Sequence, residues 1–155
     1  TVQEHITERS GVTGEKMELG YYEFVKGAAA ISYIHPGNRL ATIVAFNEAV
    51  DAQVARDVAM QIAAMNPAGI TEDDVPADIK ERELSIARDK AREAGKPENI
   101  IEHIAEGALK KYYKENTLLE QAFVKDNKVN IQQYLQAQSK TLTVTAFKRA
   151  SLSAE

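Results

Sequence analysis

Apolar residues in the first third of the chain follow the pattern of β-strands. Three segments, 18–27, 28–34 and 39–47, are rich in aromatic, β-branched or alternating apolar residues and have the length of strands. The sequence His-Pro-Gly-Asn at 35–38 separates the second segment from the third, and these residue types favour a tight turn. The pattern therefore predicts an antiparallel hairpin around residues 35–38.

The spacing of apolar residues then changes to that of a helix. Over residues 49–65 they recur every three or four positions, with alanines beside the apolar stripe. Asn66 should end this helix, because Pro67 disfavours helical backbone angles in the residue before it. The small alanine side chains predict a helix that lies close against the sheet.

Residues 76–116 carry many charges and only thin apolar seams, which is typical of two helices paired outside a core. Gly95 divides the segment, since glycine tolerates the left-handed conformation that ends a helix. Pro97 suits the start of the next helix, where its missing N–H costs nothing. We predict a projecting, antiparallel, coiled-coil-like hairpin with Gly95, Lys96 and Pro97 at its tip.

The remaining segments complete the predicted architecture. Residues 1–17 indicate a short helix, a turn and a polar link, and residues 118–126 an extended return along the base of the hairpin. A short helix at 131–138 and a β-rich strand at 141–152 follow. The predicted fold class is α+β, with a small antiparallel sheet packed on helices and a protruding helical hairpin.

Composition narrows the class of protein. The chain has 155 residues, enough for one domain with a core, and 44% of them are apolar. Its net charge of −4 argues against a general nucleic-acid partner. It contains no cysteine, which excludes thiol chemistry and fits a cytoplasmic location, and no apolar run of the ~20 residues that a membrane span needs. Because the chain opens at Thr1 without Met, we expect a piece of a longer protein.

Candidate catalytic and metal-binding chemistry is sparse. The sequence contains no glycine-rich phosphate loop, nucleophile elbow or zinc-type spacing, so it predicts neither a cofactor nor an enzyme. His103 and Glu106 lie one helical turn apart and could form half of a metal site. Because the charged helix carries no second such pair, we interpret them as surface residues. A metal-dependent enzyme centred on them remains an alternative.

A basic cluster on the second arm helix has two possible interpretations. Lys110, Lys111 and Lys114 flank Tyr112 and Tyr113, a combination that also occurs in proteins that bind RNA. The acidic balance of the whole chain favours a solvated helix face instead.

The turn at 35–38 is the remaining candidate. It places the imidazole of His35 at the tip of a hairpin between apolar strands, and recognition residues concentrate at such tips. From the residues alone, an ordinary turn remains the alternative.

Five motifs in order link the chain to a known family. They are SYIHPGNRL at 32–40, DVAMQIAAMNP at 57–67, DDVPADI at 73–79, GKPENIIEHIAEG at 95–107 and LLEQAFVKD at 118–126. Together they resemble bacterial translation elongation factor Ts, from its second core region to its C-terminus.

The resemblance also implies a division of the chain. Residues 1–17 resemble the tail of the preceding core subdomain. Residues 18–155 resemble the C-terminal core subdomain, with the hairpin at 76–116 inserted into it.

The resemblance implies guanine-nucleotide exchange on the GTPase elongation factor Tu. Members of the family bind this partner and release its GDP without covalent chemistry, so no catalytic residue and no cofactor is expected. The family's contact histidine corresponds to His35, and we extend the partner-binding site to the whole turn. Its residues are His35, Pro36, Gly37, Asn38 and Arg39.

The family also suggests roles for the arm. Its hairpin can reach the nucleotide-binding domain of the GTPase, which makes the tip at Gly95, Lys96 and Pro97 a second candidate contact. Some members form homodimers through this part of the chain. The alternative function is therefore a coiled-coil dimerisation module without exchange activity.

One family motif is missing. The sequence Thr-Asp-Phe-Val-Ala, whose Asp-Phe pair acts near the magnesium site of the GTPase, does not occur. Residues 51–56 (DAQVAR) echo it, but they lack the phenylalanine and fall in the predicted buried helix. We expect the motif and the N-terminal helical domain upstream of Thr1. The chain by itself is then expected to bind the GTPase with weak exchange.

Overall fold

The computed structural model of the protein describes residues 1–152 and confirms an α+β fold. The last three residues of the predicted subdomain, 153–155, lie outside this part. A short 3₁₀ helix, Glu72–Asp74, precedes the arm. In chain order the other elements are α1 (Val2–Thr13), β1 (Ala29–Ile34), β2 (Leu40–Phe46), α2 (Ala52–Met65), α3 (Ala77–Glu93), α4 (Glu98–Asn116), β3 (Ala122–Phe123), β4 (Asp126–Asn130), α5 (Ile131–Gln136) and β5 (Val144–Ser151).

The main sheet has the order β1-β2-β5, and both pairs of strands are antiparallel. The β-rich sequence near the C-terminus predicted this final strand, and it completes the sheet by pairing with β2. One row of the ladder places Tyr33, Thr42 and Arg149 side by side, one residue from each strand. These three side chains share one face of the sheet, because neighbours across a ladder point to the same side.

Helix α2 crosses this face along that row. The Arg56 guanidinium lies 5.7 Å from the ring centre of Tyr33, on β1. One turn further along α2, the Thr42 hydroxyl donates to the Ala59 carbonyl at 2.9 Å. After another turn, Arg149 Nε donates to the Ala63 carbonyl at 3.2 Å. The helix thus runs from β1 over β2 to β5. Ala59 and Ala63 allow the close approach that these hydrogen bonds require, as the sequence predicted.

The core fills the space between α2, the sheet and the C-terminal elements. Phe46 and Ile62 are fully buried, from the sheet and from the helix. Ile131 and Leu135 bring α5 into the same cluster. Asp51 begins α2 as its N-cap, with one carboxylate oxygen accepting from the backbone N–H of Gln53 at 2.8 Å and of Val54 at 3.2 Å. Residues 51–56 therefore have a local structural role at the start of this helix.

The helical hairpin forms as predicted. Gly95 has a φ of 69°, its N–H donates to the Arg92 carbonyl, and the N–H of Lys96 donates to the Ala91 carbonyl. This pair of bonds is the Schellman arrangement that closes a helix through a left-handed glycine. Pro97 is the N-cap of α4 rather than its first residue, so the helix begins at Glu98, one residue later than the sequence predicted.

The two arm helices pack chiefly against each other. Their buried seam is thin, because four residues supply it: Ala87, Ala91, Ile101 and Ala105. The guanidinium of Arg88 spans the two helices and donates to both oxygens of Glu102, at 2.8 and 3.2 Å. The Glu102 carboxylate and that of Glu81 raise the pKa of this guanidinium, which stays charged at any physiological pH.

The base of the arm joins the body through paired backbone. The chain enters at Gly69 and leaves at Thr117, and these residues form a parallel β-bridge. Ala68 and Leu118 add hydrogen bonds across the same point, to Asn116 and Gly69 respectively. Both ends of the arm are therefore held together, which fixes the origin of the arm on the body.

One predicted strand is absent from its place in the structure. Residues 18–27 have no regular secondary structure, and Tyr22 and Phe24 are 76% and 59% exposed. The segment lies against the sheet face opposite α2, where the Glu23 carboxylate pairs with Lys148 at 3.4 Å. Side-chain contacts with a face therefore replace the backbone pairing that a strand would need.

The return from the arm also differs from the prediction. Part of 118–126 forms β3, which pairs with β4 in a second, two-stranded antiparallel sheet that the sequence analysis missed. Helix α5 follows this sheet directly, with Asn130 as its N-cap. Gln61 of α2 holds β3 in place, because its side chain donates to the Ala122 carbonyl at 3.1 Å and accepts from the Val124 N–H at 2.9 Å.

A buried carboxylate ties this second sheet to α2. Asp57 is 5% exposed, and it accepts from Lys125 Nζ at 2.6 Å, from the Tyr134 hydroxyl at 2.8 Å and from Gln53 Nε2 at 2.8 Å. Burial by itself would raise the pKa of Asp57, but the three hydrogen bonds and the Lys125 charge outweigh it and hold that pKa below its ordinary value. Burial and the bond to Asp57 raise the pKa of Tyr134 to about 12.

This geometry predicts an alkaline limit to the contribution of Tyr134. A phenol with a folded-state pKa of about 12 and an unfolded one of about 10 stabilises the fold below pH 10, and this contribution is lost as the pH rises toward 12. Tyr134→Phe should cost about 1.5 kcal/mol of unfolding free energy at neutral pH, since a hydrogen bond to a charged group is lost. The ring stacked on Phe123 at 4.3 Å is kept.

Urea unfolding of the original chain and of Tyr134→Phe at several pH values measures the contribution of the Tyr134 hydroxyl. The difference in unfolding free energy should shrink above about pH 10. A difference that stays constant from neutral to strongly alkaline pH would contradict the prediction.

Candidate functional site

The turn between β1 and β2 has a fixed backbone conformation. The His35 N–H donates to the Leu40 carbonyl at 2.8 Å, and the Asn38 N–H donates to the His35 carbonyl at 3.0 Å. Pro36 and Gly37 occupy the two central positions, and Gly37 has a φ of 94°. These are the residue types and the angle that a type II turn needs. The sequence predicted both the turn and its position.

All five residues of the predicted contact site, 35–39, are exposed. Asn38 also has a left-handed backbone, with a φ of 56°, so the chain makes two successive left-handed steps before β2. The Arg39 carbonyl accepts from the backbone N–H of Leu152, which holds the far side of the turn to the end of β5. The site is therefore an ordered, protruding loop.

The imidazole of His35 contacts a side chain near the end of β1, two residues before it in the chain. Its Nδ1 lies 3.0 Å from the Tyr33 hydroxyl, and the two ring centres are 6.0 Å apart. Tyr33 is 8% exposed and belongs to the core, whereas His35 is exposed. A buried residue thus anchors an exposed one. The sequence signal for this pair is the spacing Tyr-x-His, because residues two apart on a strand face the same side.

Two arginines lie in or near the turn. Arg56 stands over the Tyr33 ring, and Arg39 follows the turn itself. Within residues 1–152, neither guanidinium forms an ion pair with a carboxylate. The combination of an exposed imidazole and two guanidinium groups suits a partner surface that offers carbonyl or carboxylate oxygens.

The second predicted contact, the arm tip at 95–97, is separate from this turn. Helix α3 has 17 residues, so the tip lies about 25 Å from the base of the arm. Gly95, Lys96 and Pro97 are exposed. The two candidate contacts therefore lie on different elements, and the structure does not place them side by side.

An apolar groove runs along the arm near this tip. It has a volume of about 360 Å³ and lies between α3 and α4. Ile86 and Ile104 are the large apolar side chains that line it, and Ile86 is 37% exposed. The groove is the feature of the arm that a second helix could fill.

The other sequence candidates do not assemble into a site. His103 and Glu106 are both exposed on α4, and the described residues contain no group of three or more potential ligands that could hold a metal ion. No helix in the described part of the chain is long and apolar enough to cross a membrane.

The basic cluster lies at the base of the arm. Lys110, Lys111 and Lys114 line a groove of about 620 Å³ together with the carboxylates of Glu72 and Glu120. This mixture of charges does not form the uniformly positive surface that binds a phosphate backbone.

Comparison with known proteins agrees with this architecture. A family model described as "Elongation factor TS" matches residues 1–154. Elongation factor Ts of Porphyromonas gingivalis is 64% identical over 155 residues, which is 100% of this chain and 57% of that protein.

Two further relatives carry the same name. The protein of Azobacteroides pseudotrichonymphae is 59% identical over 153 residues, with 98% of this chain and 56% of the relative covered. That of Flavobacterium psychrophilum is 44% identical over 154 residues, with the same coverage. The chain thus spans 56–57% of the length of these relatives. From the family match over residues 1–154, and from these identities, it follows that the chain belongs to the elongation factor Ts family.

Proposed function

We propose that this chain is the part of an elongation factor Ts that docks on the GTPase elongation factor Tu. The observation that carries the proposal is the family match over residues 1–154. The exposed, rigid turn at 35–39 supports it, since a preorganised loop loses little entropy on binding. We further propose that residues 18–155 act as the C-terminal core subdomain, that residues 1–17 belong to the preceding one, and that the protein acts in the cytoplasm.

Nucleotide exchange by such a protein requires no covalent chemistry. A protein that binds the nucleotide-free GTPase more tightly than the GDP form weakens GDP binding by the same factor, because the two binding equilibria are linked. The side chains of the turn would supply binding energy, and no cofactor takes part.

The turn and the arm tip would have different tasks. We propose that the body docks through His35, Pro36, Gly37, Asn38 and Arg39, which are fixed by the sheet. The tip at 95–97 would touch a second region of the GTPase, since the arm carries it about 25 Å from the body. Nucleic acid takes no direct part in this proposal.

A GDP-release assay tests the proposal. Elongation factor Tu loaded with a fluorescent GDP analogue is mixed with the full-length parent protein, and release should be strongly accelerated. This chain alone should bind the GTPase at micromolar concentration with little acceleration, because residues 1–155 lack the Thr-Asp-Phe-Val-Ala motif. If the parent protein does not accelerate release, the proposed exchange function is wrong. If this chain does not co-elute with the GTPase, the proposed docking is wrong.

Self-association of the arm is a second candidate function. The observation that favours it is the apolar groove between α3 and α4, which Ile86 and Ile104 line. Light scattering of the chain, with and without the GTPase, separates the two ideas. A stable dimer that ignores elongation factor Tu would favour the structural module over the exchange factor.

A further inference from the structure

We propose that Tyr33 is a positioning residue that sets the tautomer and the direction of the His35 imidazole for docking. This inference rests on the proposed function, because it concerns the same turn. The contact that carries it is the 3.0 Å separation between the Tyr33 hydroxyl and His35 Nδ1. Tyr33 is only 8% exposed, so it offers a partner little surface of its own and acts through His35.

The hydroxyl of Tyr33 has a fixed position. Its ring belongs to the core cluster, and β1 holds its backbone in register with Thr42. On the exposed side, the Arg56 guanidinium lies 5.7 Å from the ring centre in a cation–π contact. Since Arg56 is carried by α2, a strand and a helix together determine where the hydroxyl lies.

A fixed hydroxyl selects one form of a neutral imidazole. A phenol is a better hydrogen-bond donor than acceptor, so in the proposed arrangement the Tyr33 hydroxyl donates to Nδ1 and the ring proton sits on Nε2. The Nε2–H group lies on the opposite side of the ring from the tyrosine. His35 is exposed, so this N–H is available as a hydrogen-bond donor. The chemistry that recognises it is an oxygen acceptor on the partner, a backbone carbonyl or a carboxylate.

Preorganisation is the physical gain. An exposed histidine without an anchor samples several rotamers and both tautomers, and ordering them on binding costs free energy. The bond to Tyr33 removes most of this cost before the partner arrives. Removal of the hydroxyl should therefore weaken docking even though Tyr33 lies outside the interface.

The first test records the tautomer without any partner. Two-bond ¹H–¹⁵N spectra of the chain at about pH 8, where an ordinary imidazole is neutral, distinguish the two ring nitrogens of His35. A His35→Gln spectrum assigns the signals against His5 and His103. We expect a single Nε2–H pattern for His35, and an averaged pattern in Tyr33→Phe. Tyr22→Phe is the matched control, since it removes the same hydroxyl from a residue that is 76% exposed.

The second test measures binding to elongation factor Tu. Tyr33→Phe should weaken affinity by about threefold to tenfold, the value of one hydrogen bond, with only a small fall in the melting temperature. Tyr22→Phe should bind like the original chain. In the double variant Tyr33→Phe/His35→Ala, the loss should equal that of His35→Ala alone, because both changes disrupt one unit.

Several outcomes would overturn the proposal. One is a His35 spectrum that Tyr33→Phe leaves unchanged, and another is a double variant in which the two losses add. If the original chain binds but His35→Ala binds equally well, the proposed contact is wrong and Tyr33 has no docking role. If the original chain does not bind the GTPase, the proposed function fails. The partner-free spectra still decide whether Tyr33 orients the ring.

Discussion

Replacing Phe46 with alanine is expected to lower the free energy of unfolding by about 3–5 kcal/mol, the usual cost of emptying a large buried aromatic site. Phe46 is fully buried at the end of β2, where its backbone pairs with Ala29 on one side and Val144 on the other. Its side chain belongs to the cluster that joins the sheet to α2. Since strands on both sides hold the backbone, we expect the cavity to stay open rather than collapse.

Urea unfolding followed by circular dichroism measures this loss, and Phe24→Ala is the matched control. Phe24 is 59% exposed, so the same truncation there should cost less than about 1 kcal/mol. Equal losses at the two positions would show that Phe24 is packed as firmly as Phe46. The segment 18–27 would then have to be part of the folded core, contrary to the structure.

Phe24 also shows why one predicted strand was wrong. Residues 18–27 have the aromatic and β-branched composition of a strand, but composition cannot tell whether a sheet edge is available for pairing. Gly27 lies where an added Cβ would meet the Phe46 carbonyl oxygen at 2.6 Å, and the chain enters β1 there. Backbone pairing with the sheet begins only at Ala28, whose N–H donates to that carbonyl.

Features decided by local chemistry were predicted well. The glycine at 95 closes α3 through bonds that span only six residues, and the turn at 35–38 depends on the angles of its own proline and glycine. The apolar period of 49–65 identified α2, although the helix begins at Ala52 rather than at residue 49. Asp51 explains the later start, because its carboxylate caps the first turn.

Features decided by distant contacts were not predicted. The region of β3 and β4 is held to α2 by Asp57, whose bonds to Lys125 and Tyr134 join residues 68 and 77 positions apart. No periodicity in the sequence signals such a pair. The candidate site also combines a feature set by local chemistry with one set by a distant contact. His35 could be predicted from the turn and the family motif, whereas the Arg56 contact with Tyr33 appears only once α2 crosses the sheet.

His35→Ala is expected to weaken binding of this chain to elongation factor Tu by about 2 kcal/mol, or roughly thirtyfold in Kd, the threshold for a binding hot spot. The physical reason is the loss of an oriented N–H donor at the tip of a rigid turn. Thermal stability should change little, since the imidazole is exposed and the turn is held by backbone bonds from His35 and Asn38. Titration calorimetry gives the affinity, and thermal unfolding gives the stability.

His103→Ala is the control, because it removes an exposed imidazole from α4, on a different element. We expect it to leave both affinity and melting temperature unchanged. If His35→Ala lowers the melting temperature and affinity falls only in step with it, the imidazole supports the turn and does not contact the partner. If both histidine variants bind like the original chain, docking takes place elsewhere, and the exposed arm tip at 95–97 becomes the first surface to mutate. A selective loss at His35 would instead assign the docking surface to the β1–β2 end of the sheet and leave the arm free to act on the nucleotide-binding part of the GTPase.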